Sequence, residues 1–349
     1  KVVGAGSIGN HLAHALRTVG ADVTIVDIDP DALQRTKEVI YPERYGAFDD
    51  AITLAHPQEI SRKRFDLCVI GTPPDTHLPI ATAELSFQHR ALLIEKPLAP
   101  RGSAELARFV EAAAASGPRV LVAYNQRLKT NTIEFLRRAK NDRLGPLVSV
   151  SGRMREDWTG ILKAHPWLAD ATDSYLGHSD RGGGALYEHS HATDFAVFIA
   201  HALGGGRPER VKAELDVVEH DTGSYDREAR VTITTSTGLP IDVMQDLFTW
   251  PAEKSLVATF ANGELRWEMH SDRDVVSTSF AGEDYGTDFF PKTRPDDFLP
   301  EIRHVLELLE SGGDVVSPLD LSEALYTSWT LEAAVNSHEI GDWVSVKDG

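Results

Sequence analysis

From residue 1 to about 125 the chain alternates short β-branched apolar runs with longer stretches whose apolar residues recur at helical spacing. That alternation is the grammar of a parallel α/β sheet. Val2-Val3, Val23 to Asp27, Phe65 to Gly71, Ala91 to Glu95 and Arg119 to Tyr124 predict strands. Ile8 to Val19, Asp31 to Ile40, Thr76 to His89 and Ser103 to Ser116 predict the helices between them. The pattern changes after Tyr124: a helix near Thr130 to Asn141, a strand from Leu147 to about Arg155, a long loop rich in Trp, Asp and Gly, then a helix after the triple glycine 182–184. From Arg210 to about Phe280 alternating strands follow without helices between them, which predicts a large, mostly antiparallel open sheet. Thr237-Gly238 and Asn262-Gly263 interrupt the alternation as tight hairpins do. Two amphipathic stretches, about Pro295 to Ser311 and Asp320 to Ser337, close the chain.

The expected fold is therefore a doubly wound parallel α/β domain over 1–125, an α+β domain carrying the antiparallel sheet over 126–294, and C-terminal helices over 295–349 that pack back on the first domain. A length of 349 residues agrees with two domains. The net charge of −18 argues against nucleic acid or an anionic membrane as partner, since both are bound through clustered Lys and Arg. No stretch reaches the roughly 20 apolar residues that span a bilayer, so a cytoplasmic protein is expected. The only cysteine, Cys68, lies in an apolar run and reads as a small buried hydrophobe. The opening Lys1-Val2-Val3-Gly4 leaves little room for a first strand, so further residues are expected upstream.

Gly4-Ala5-Gly6-Ser7-Ile8-Gly9 matches the dinucleotide fingerprint of the Rossmann fold. It follows a strand fragment, opens an amphipathic helix and precedes Val23-Thr24-Ile25-Val26-Asp27, which ends on an acid. Helix N-terminal amides suit a pyrophosphate, and Asp27 suits the adenosine ribose hydroxyls. A carboxylate there repels a 2′-phosphate, and Ile28-Asp29-Pro30 supplies no adjacent cation for one, so NAD is the expected cofactor. Asp29 reads equally as a second ribose contact or as a cap before Pro30.

Three further segments carry polar chemistry. Gly71-Thr72-Pro73-Pro74-Asp75-Thr76-His77 and Glu95-Lys96-Pro97 follow the carboxyl ends of predicted parallel strands, where such sheets place ligands; this puts Thr72, Pro73, His77, Glu95, Lys96 and Pro97 on the cofactor side. The third runs Gly182-Gly183-Gly184-Ala185-Leu186-Tyr187-Glu188-His189-Ser190-His191-Ala192-Thr193-Asp194. With the glycine loop and Tyr124-Asn125-Gln126-Arg127, this ordered set resembles the glucose-fructose oxidoreductase, inositol dehydrogenase and MocA family along essentially the whole chain. The resemblance implies NAD(H)-dependent hydride transfer at a secondary hydroxyl of a sugar, sugar derivative or cyclitol. It implies that Lys96 contacts substrate and nicotinamide, often beside a cis proline peptide at Pro97, and that His191 is the acid/base. The chemistry agrees: a histidine near its ordinary pKa can take the hydroxyl proton, and an ammonium can stabilise the developing alkoxide. Two family variants stay open, a glycoside hydrolase that oxidises transiently and a dinucleotide-binding regulator without turnover.

The common family pattern has an aspartate four residues before the histidine, where this chain has Tyr187. Glu188, three before, is expected to replace it on the same helix surface. Asp194 competes for orienting the imidazole and is expected to be the more structural of the two. Arg127, Arg153, Arg155, Trp158 and Trp167 join Lys96, His191 and Asp194 as candidates for the substrate side, since forked donors and aromatic faces suit polyols. His189 is expected to be structural. No zinc-type ligand spacing is present, so no metal is expected. A homo-oligomer, dimer or tetramer, is expected through the C-terminal sheet, with Val243, Leu247 and Phe248 covered by a second subunit.

Overall fold

The computed structural model describes residues 1–60, 63–102, 104–158, 162, 168, 170–312 and 315–346. These form two compact units, Lys1–Ala99 with Ser103–Asn125 and Pro295–Leu321, and Pro100–Gly102 with Gln126–Arg294 and Ser322–Gly349.

The first unit is built on six strands: β1 (Val2–Val3), β2 (Thr24–Val26), β3 (Thr53–Ala55), β4 (Leu67–Ile70), β5 (Ala91–Ile94) and β6 (Arg119–Val122). Their order, β3-β2-β1-β4-β5-β6, with every pair parallel, is the doubly wound Rossmann arrangement, reversing direction between β1 and β4. Every residue of β4 and β5 is buried, because helices cover both faces of such a sheet. The helices are α1 (Ser7–Thr18), α2 (Pro30–Arg35), α3 (Tyr41–Tyr45), α4 (His77–Leu85) and α5 (Glu105–Ala115). A turn of π-helix over Thr36–Ile40 joins α2 to α3. The alternation pattern names neither α3 nor β3, since Thr53-Leu54-Ala55 is too short to show a period. Cys68 is fully buried as expected, and burial pushes its thiol pKa up.

The second unit carries α6 (Thr130–Arg138), α7 (Gly184–Glu188) and α8 (His191–Ala202) with a nine-stranded sheet. Its strands are β7 (Leu147–Arg155), β8 (Pro208–His220), β9 (Gly223–Thr235), β10 (Pro240–Asp246), β11 (Glu253–Phe260), β12 (Gly263–Met269), β13 (Arg273–Phe280), β14 (Glu283–Pro291) and β15 (Val344–Ser345). The order is β14-β13-β12-β11-β7-β10-β9-β8-β15, antiparallel throughout except where β7 and β10 run parallel. One face packs under α8. Gly152 of β7 permits this, because a Cβ there would sit 3.2 Å from the Ala192 carbonyl oxygen. The buried core on that face includes Val150, Phe195, Ile199, Val231, Ile241 and Trp267. Both expected hairpins form: Thr237-Gly238 lies in the turn between β9 and β10, and Phe260 pairs with Gly263 across Ala261-Asn262. A third, between β13 and β14, turns on Ala281-Gly282 with φ of 51° and 82°, which lacks the Asn-Gly signature that flags such turns.

Val243 and Leu247 are buried within this chain, Val243 in the core beneath α8, so the expectation that a second subunit covers them is corrected. The alternation identifies an apolar face without saying which element covers it. Phe248 remains 49% exposed.

Two helices close the chain, α9 (Leu299–Glu310) in the first unit and α10 (Leu321–Ile340), which from Ser322 onward lies in the second. Among the described residues no helix is long and apolar enough to cross a membrane.

Candidate active site

In the first unit the three fingerprint glycines have separable roles. Gly4 has φ of 103°, and a Cβ on it would fall 2.7 Å from the Gly71 carbonyl oxygen, so it makes the turn and the approach to β4. A Cβ on Gly9 would lie 2.0 Å from the Gly4 carbonyl oxygen, which fixes α1 against β1. Gly6 faces open space within 4 Å, as a backbone that must admit a pyrophosphate does. Asp27, just past β2, accepts the Ala5 N–H at 2.7 Å on Oδ2 and the Asp29 N–H at 2.9 Å on Oδ1. It thus pins the glycine loop while each oxygen keeps a lone pair for a ribose hydroxyl. Asp29 caps α2 through the Asp31 N–H and approaches Arg35 at 3.5 Å. These residues fit a dinucleotide.

Two supporting side chains escaped the sequence reading. Asn10 donates to the carbonyls of Ala5 and Gly6 at 2.8 Å each. Arg44, on α3, donates to the Ser7 carbonyl at 3.2 Å and the Ser7 hydroxyl at 3.0 Å, and its guanidinium lies 3.3 Å from His11 Nε2. Nothing near Arg44 in the sequence marks it.

Thr72 and Pro73 follow β4, and Glu95-Lys96-Pro97 follows β5, on the same sheet edge as the glycine loop. The Lys96–Pro97 peptide is cis. The Lys96 N–H donates to Glu95 Oε2 at 3.1 Å. His77 is fully buried between these two loops, its ring nitrogens 2.8 Å from the Thr72 carbonyl and 2.9 Å from the Pro97 carbonyl. It braces the loops from within. Burial lowers its pKa to about 4, outweighing the two carbonyls, which favour the protonated ring. Glu301, on α9, is buried with neither carboxylate oxygen hydrogen-bonded among the described residues. Burial first, then the charge of Glu95, raise its pKa well above the ordinary carboxylate range.

In the second unit the segment after the triple glycine is two helices, with the break at His189-Ser190. Glu188 ends α7 and His191 begins α8, so they are not neighbours on one continuous helix surface as the spacing argument assumed. The break still separates the residues by exposure: Glu188 and His191 are partly exposed, whereas Tyr187, His189, Ser190 and Asp194 are buried. Tyr175 donates its hydroxyl to Glu188 Oε2 at 3.1 Å. Asp194 is held by Arg127, whose Nε lies 3.0 Å from Oδ2 and whose Nη2 meets Oδ1, and by the Thr327 hydroxyl at 2.7 Å. Both charges are buried and spent on each other, so the pair anchors α8 to the start of this unit and to α10.

Trp158 is half-buried against Tyr225, ring centroids 4.7 Å apart. Trp167 lies outside the described residues. Arg153 and Arg155 alternate with Gly152 and so occupy the sheet face away from α8; Arg155 Nε pairs with Asp246 at 2.7 Å, and Arg153 approaches Glu253 at 3.8 Å. Among the described residues one cluster has metal-ligand chemistry, Cys68, Glu84 and His89. Its polar groups are already hydrogen-bonded: the imidazole meets Glu84 Oε2 at 2.8 Å and accepts the Phe65 N–H at 3.1 Å, and Glu84 Oε1 accepts from Lys1 Nζ at 2.6 Å.

The doubly wound sheet and its glycine loop define an NAD-binding Rossmann domain, and comparison agrees. Residues 1–124 match the family model GFO_IDH_MocA, described as an oxidoreductase family with an NAD-binding Rossmann fold. That match covers the first unit's sheet and its glycine loop. No curated protein matches the chain. Among solved structures, levoglucosan dehydrogenase in complex with NADH is similar with a TM-score of 0.76 at 18% identity, over 99% of this chain and 98% of that one. A putative myo-inositol dehydrogenase from Sinorhizobium meliloti 1021 gives 0.73 at 19% identity, over 99% and 98%. The WlbA dehydrogenase from Bordetella pertussis, in complex with NADH and UDP-GlcNAcA, gives 0.72 at 21%, over 99% and 98%. At these identities the likeness shows the fold of both units.

Proposed function

We propose that the chain transfers hydride reversibly between NAD(H) and a secondary hydroxyl of a sugar, sugar derivative or cyclitol. The observation that carries the reading is the cradle of Gly4, Gly6, Gly9 and Asp27, which fits a dinucleotide whose ribose hydroxyls are free. The substrate class is supported by the similar structures, named for levoglucosan, for myo-inositol, and for a complex with UDP-GlcNAcA. Bound NAD supplies the hydride acceptor. His191 takes the hydroxyl proton as the C–H bond gives up its hydride, and Lys96 stabilises the alkoxide charge that develops on the oxygen. Glu188 is the partly exposed carboxylate next to this chemistry, and Asp194 with Arg127 is structural. Phe248, Trp250 and Phe289, all exposed rings of the second unit, support a homo-oligomer, dimer or tetramer, whose mass light scattering at micromolar concentration reads.

The test is a spectrophotometric screen of NAD reduction with polyols, aldoses, uronic acids and inositols. NADH accumulating in step with oxidised product is expected. A chain that binds NAD yet reduces none of it with any of these classes overturns the reading.

A further inference from the structure

We propose that Asp226 of β9 and Gln245 of β10 are positioning residues that set the angle between α7 and α8, and with it the placement of Glu188 and His191. The assignment of those two residues rests on the function proposed above. α7 is five residues long, far below the length at which a helix holds itself in water, so its ends need partners from elsewhere. Asp226 supplies one end. Its buried carboxylate accepts the Leu186 N–H at 2.7 Å. The fit explains the glycines. Gly184 has φ of 82°, and a Cβ there would fall 2.2 Å from Asp226 Oδ1, while one on Gly183 would fall 2.1 Å from the Tyr175 carbonyl oxygen. The carboxylate thus lies where a side chain at position 184 would be.

Gln245 supplies the other end and crosses the break. Its Nε2 donates to the carbonyls of Ala185 and Leu186 at 3.1 Å each, and its Oε1 accepts the Thr193 hydroxyl at 3.1 Å. One fully buried amide therefore ties the last turn of α7 to the first turn of α8 across His189-Ser190. Neither residue is a partly exposed group in reach of solvent, so their effect runs through the backbone between them. The sheet beneath, not the helix sequence, sets the geometry of the histidine.

The experiment compares wild type with Gln245→Leu and Asp226→Asn by hydrogen exchange of amides 185–194, NADH binding by fluorescence, and kcat and KM on whichever alcohol the screen identifies. Expected are faster exchange confined to 185–194, NADH affinity within about twofold, and kcat lowered roughly ten- to a hundredfold with a smaller change in KM, as misplacement of a reacting group by about 1 Å produces. Gln245→Glu, which keeps an oxygen for Thr193 but sets a buried carboxylate oxygen against the Ala185 and Leu186 carbonyls, should be at least as impaired as Gln245→Leu. Unchanged exchange and kcat in Gln245→Leu overturn the proposal. If wild type oxidises no alcohol the functional reading fails, and the exchange of 185–194 still decides the positioning role. If Asp226→Asn does not fold, the Gln245 variants decide it.

Discussion

The glycine loop of the first unit and the triple-glycine turn of the second both lead a chain into a helix that carries chemistry, yet they are held in different ways. The first is almost self-contained: Gly4, Gly6 and Gly9 lie within six residues, and the clamp on them, Asp27, directly follows the very next strand. The second depends on residues far along the chain, Asp226 and Gln245 beneath α7 and Arg127 and Thr327 around Asp194. A site that binds with its own backbone can be compact in sequence. One that must aim a side chain draws on a buried polar network, because each unpaired member of such a network is costly.

The comparison breaks most visibly at the buried ion pair. Arg127→Met strips the buried Asp194 carboxylate of its cation and leaves it only the Thr327 hydroxyl, which should cost the second unit about 3–5 kcal/mol, read as a lowered melting temperature, while Asp194→Asn loses less. Next come the proposed reacting groups. Lys96→Ala and His191→Ala should each lower turnover at least about a hundredfold with NADH binding intact, and retained turnover in both sinks the assignment. The glycine loop offers a cleaner contrast. Gly9→Ala drives a Cβ into the Gly4 backbone and should destabilise by about 2 kcal/mol, whereas Gly6→Ala meets no atom, should melt like wild type, and should weaken NAD binding by titration.

Acid and base should also act unequally within the first unit. His77 is lowered from 6.5 to about 4, so its contribution is complete above 6.5 and is lost as pH falls toward 4. Between pH 7.5 and 5 that is about 2 kcal/mol, which His77→Gln should lack in paired thermal melts. Glu301, raised by burial and by Glu95, has the opposite sign: the folded state favours its protonated form, and that contribution is lost as pH rises above the ordinary carboxylate range. Glu301→Gln should therefore gain stability relative to wild type as pH increases, and a constant difference between pH 5 and 8 contradicts this. The smallest expected change is Glu188→Gln, a severalfold loss of turnover with a shifted acidic limb of the pH profile.

What the sequence made legible follows the same division. The Rossmann sheet, the glycine loop, Asp27 and the loops carrying Thr72 and Lys96 could be read because parallel strands are apolar runs and their ligands follow immediately. The antiparallel sheet was legible from alternation, although β14 was hidden by a turn without an Asn-Gly signal and β3 by its length. The single helix expected after the triple glycine is two, since apolar spacing does not report a break that Gln245 spans from another strand. Arg127 reads as a substrate-side cation because sequence shows its charge and not its partner; the partner lies 67 positions away. His77 falls in the expected loop, but as a brace between two carbonyls.

The edge of the Rossmann sheet carries a consequence for how the protein is made. β6 is the last strand of that sheet, and its open side is closed by Leu319 and Asp320: the Val122 N–H bonds the Leu319 carbonyl at 2.8 Å, and Asp320 holds Arg119 by two bonds of 2.8 Å. That cover is synthesised some two hundred positions after the strand it protects, and α9 arrives only just before it. A nascent chain emerging from the ribosome therefore exposes a bare strand edge on its cofactor domain until some two hundred further residues have been translated.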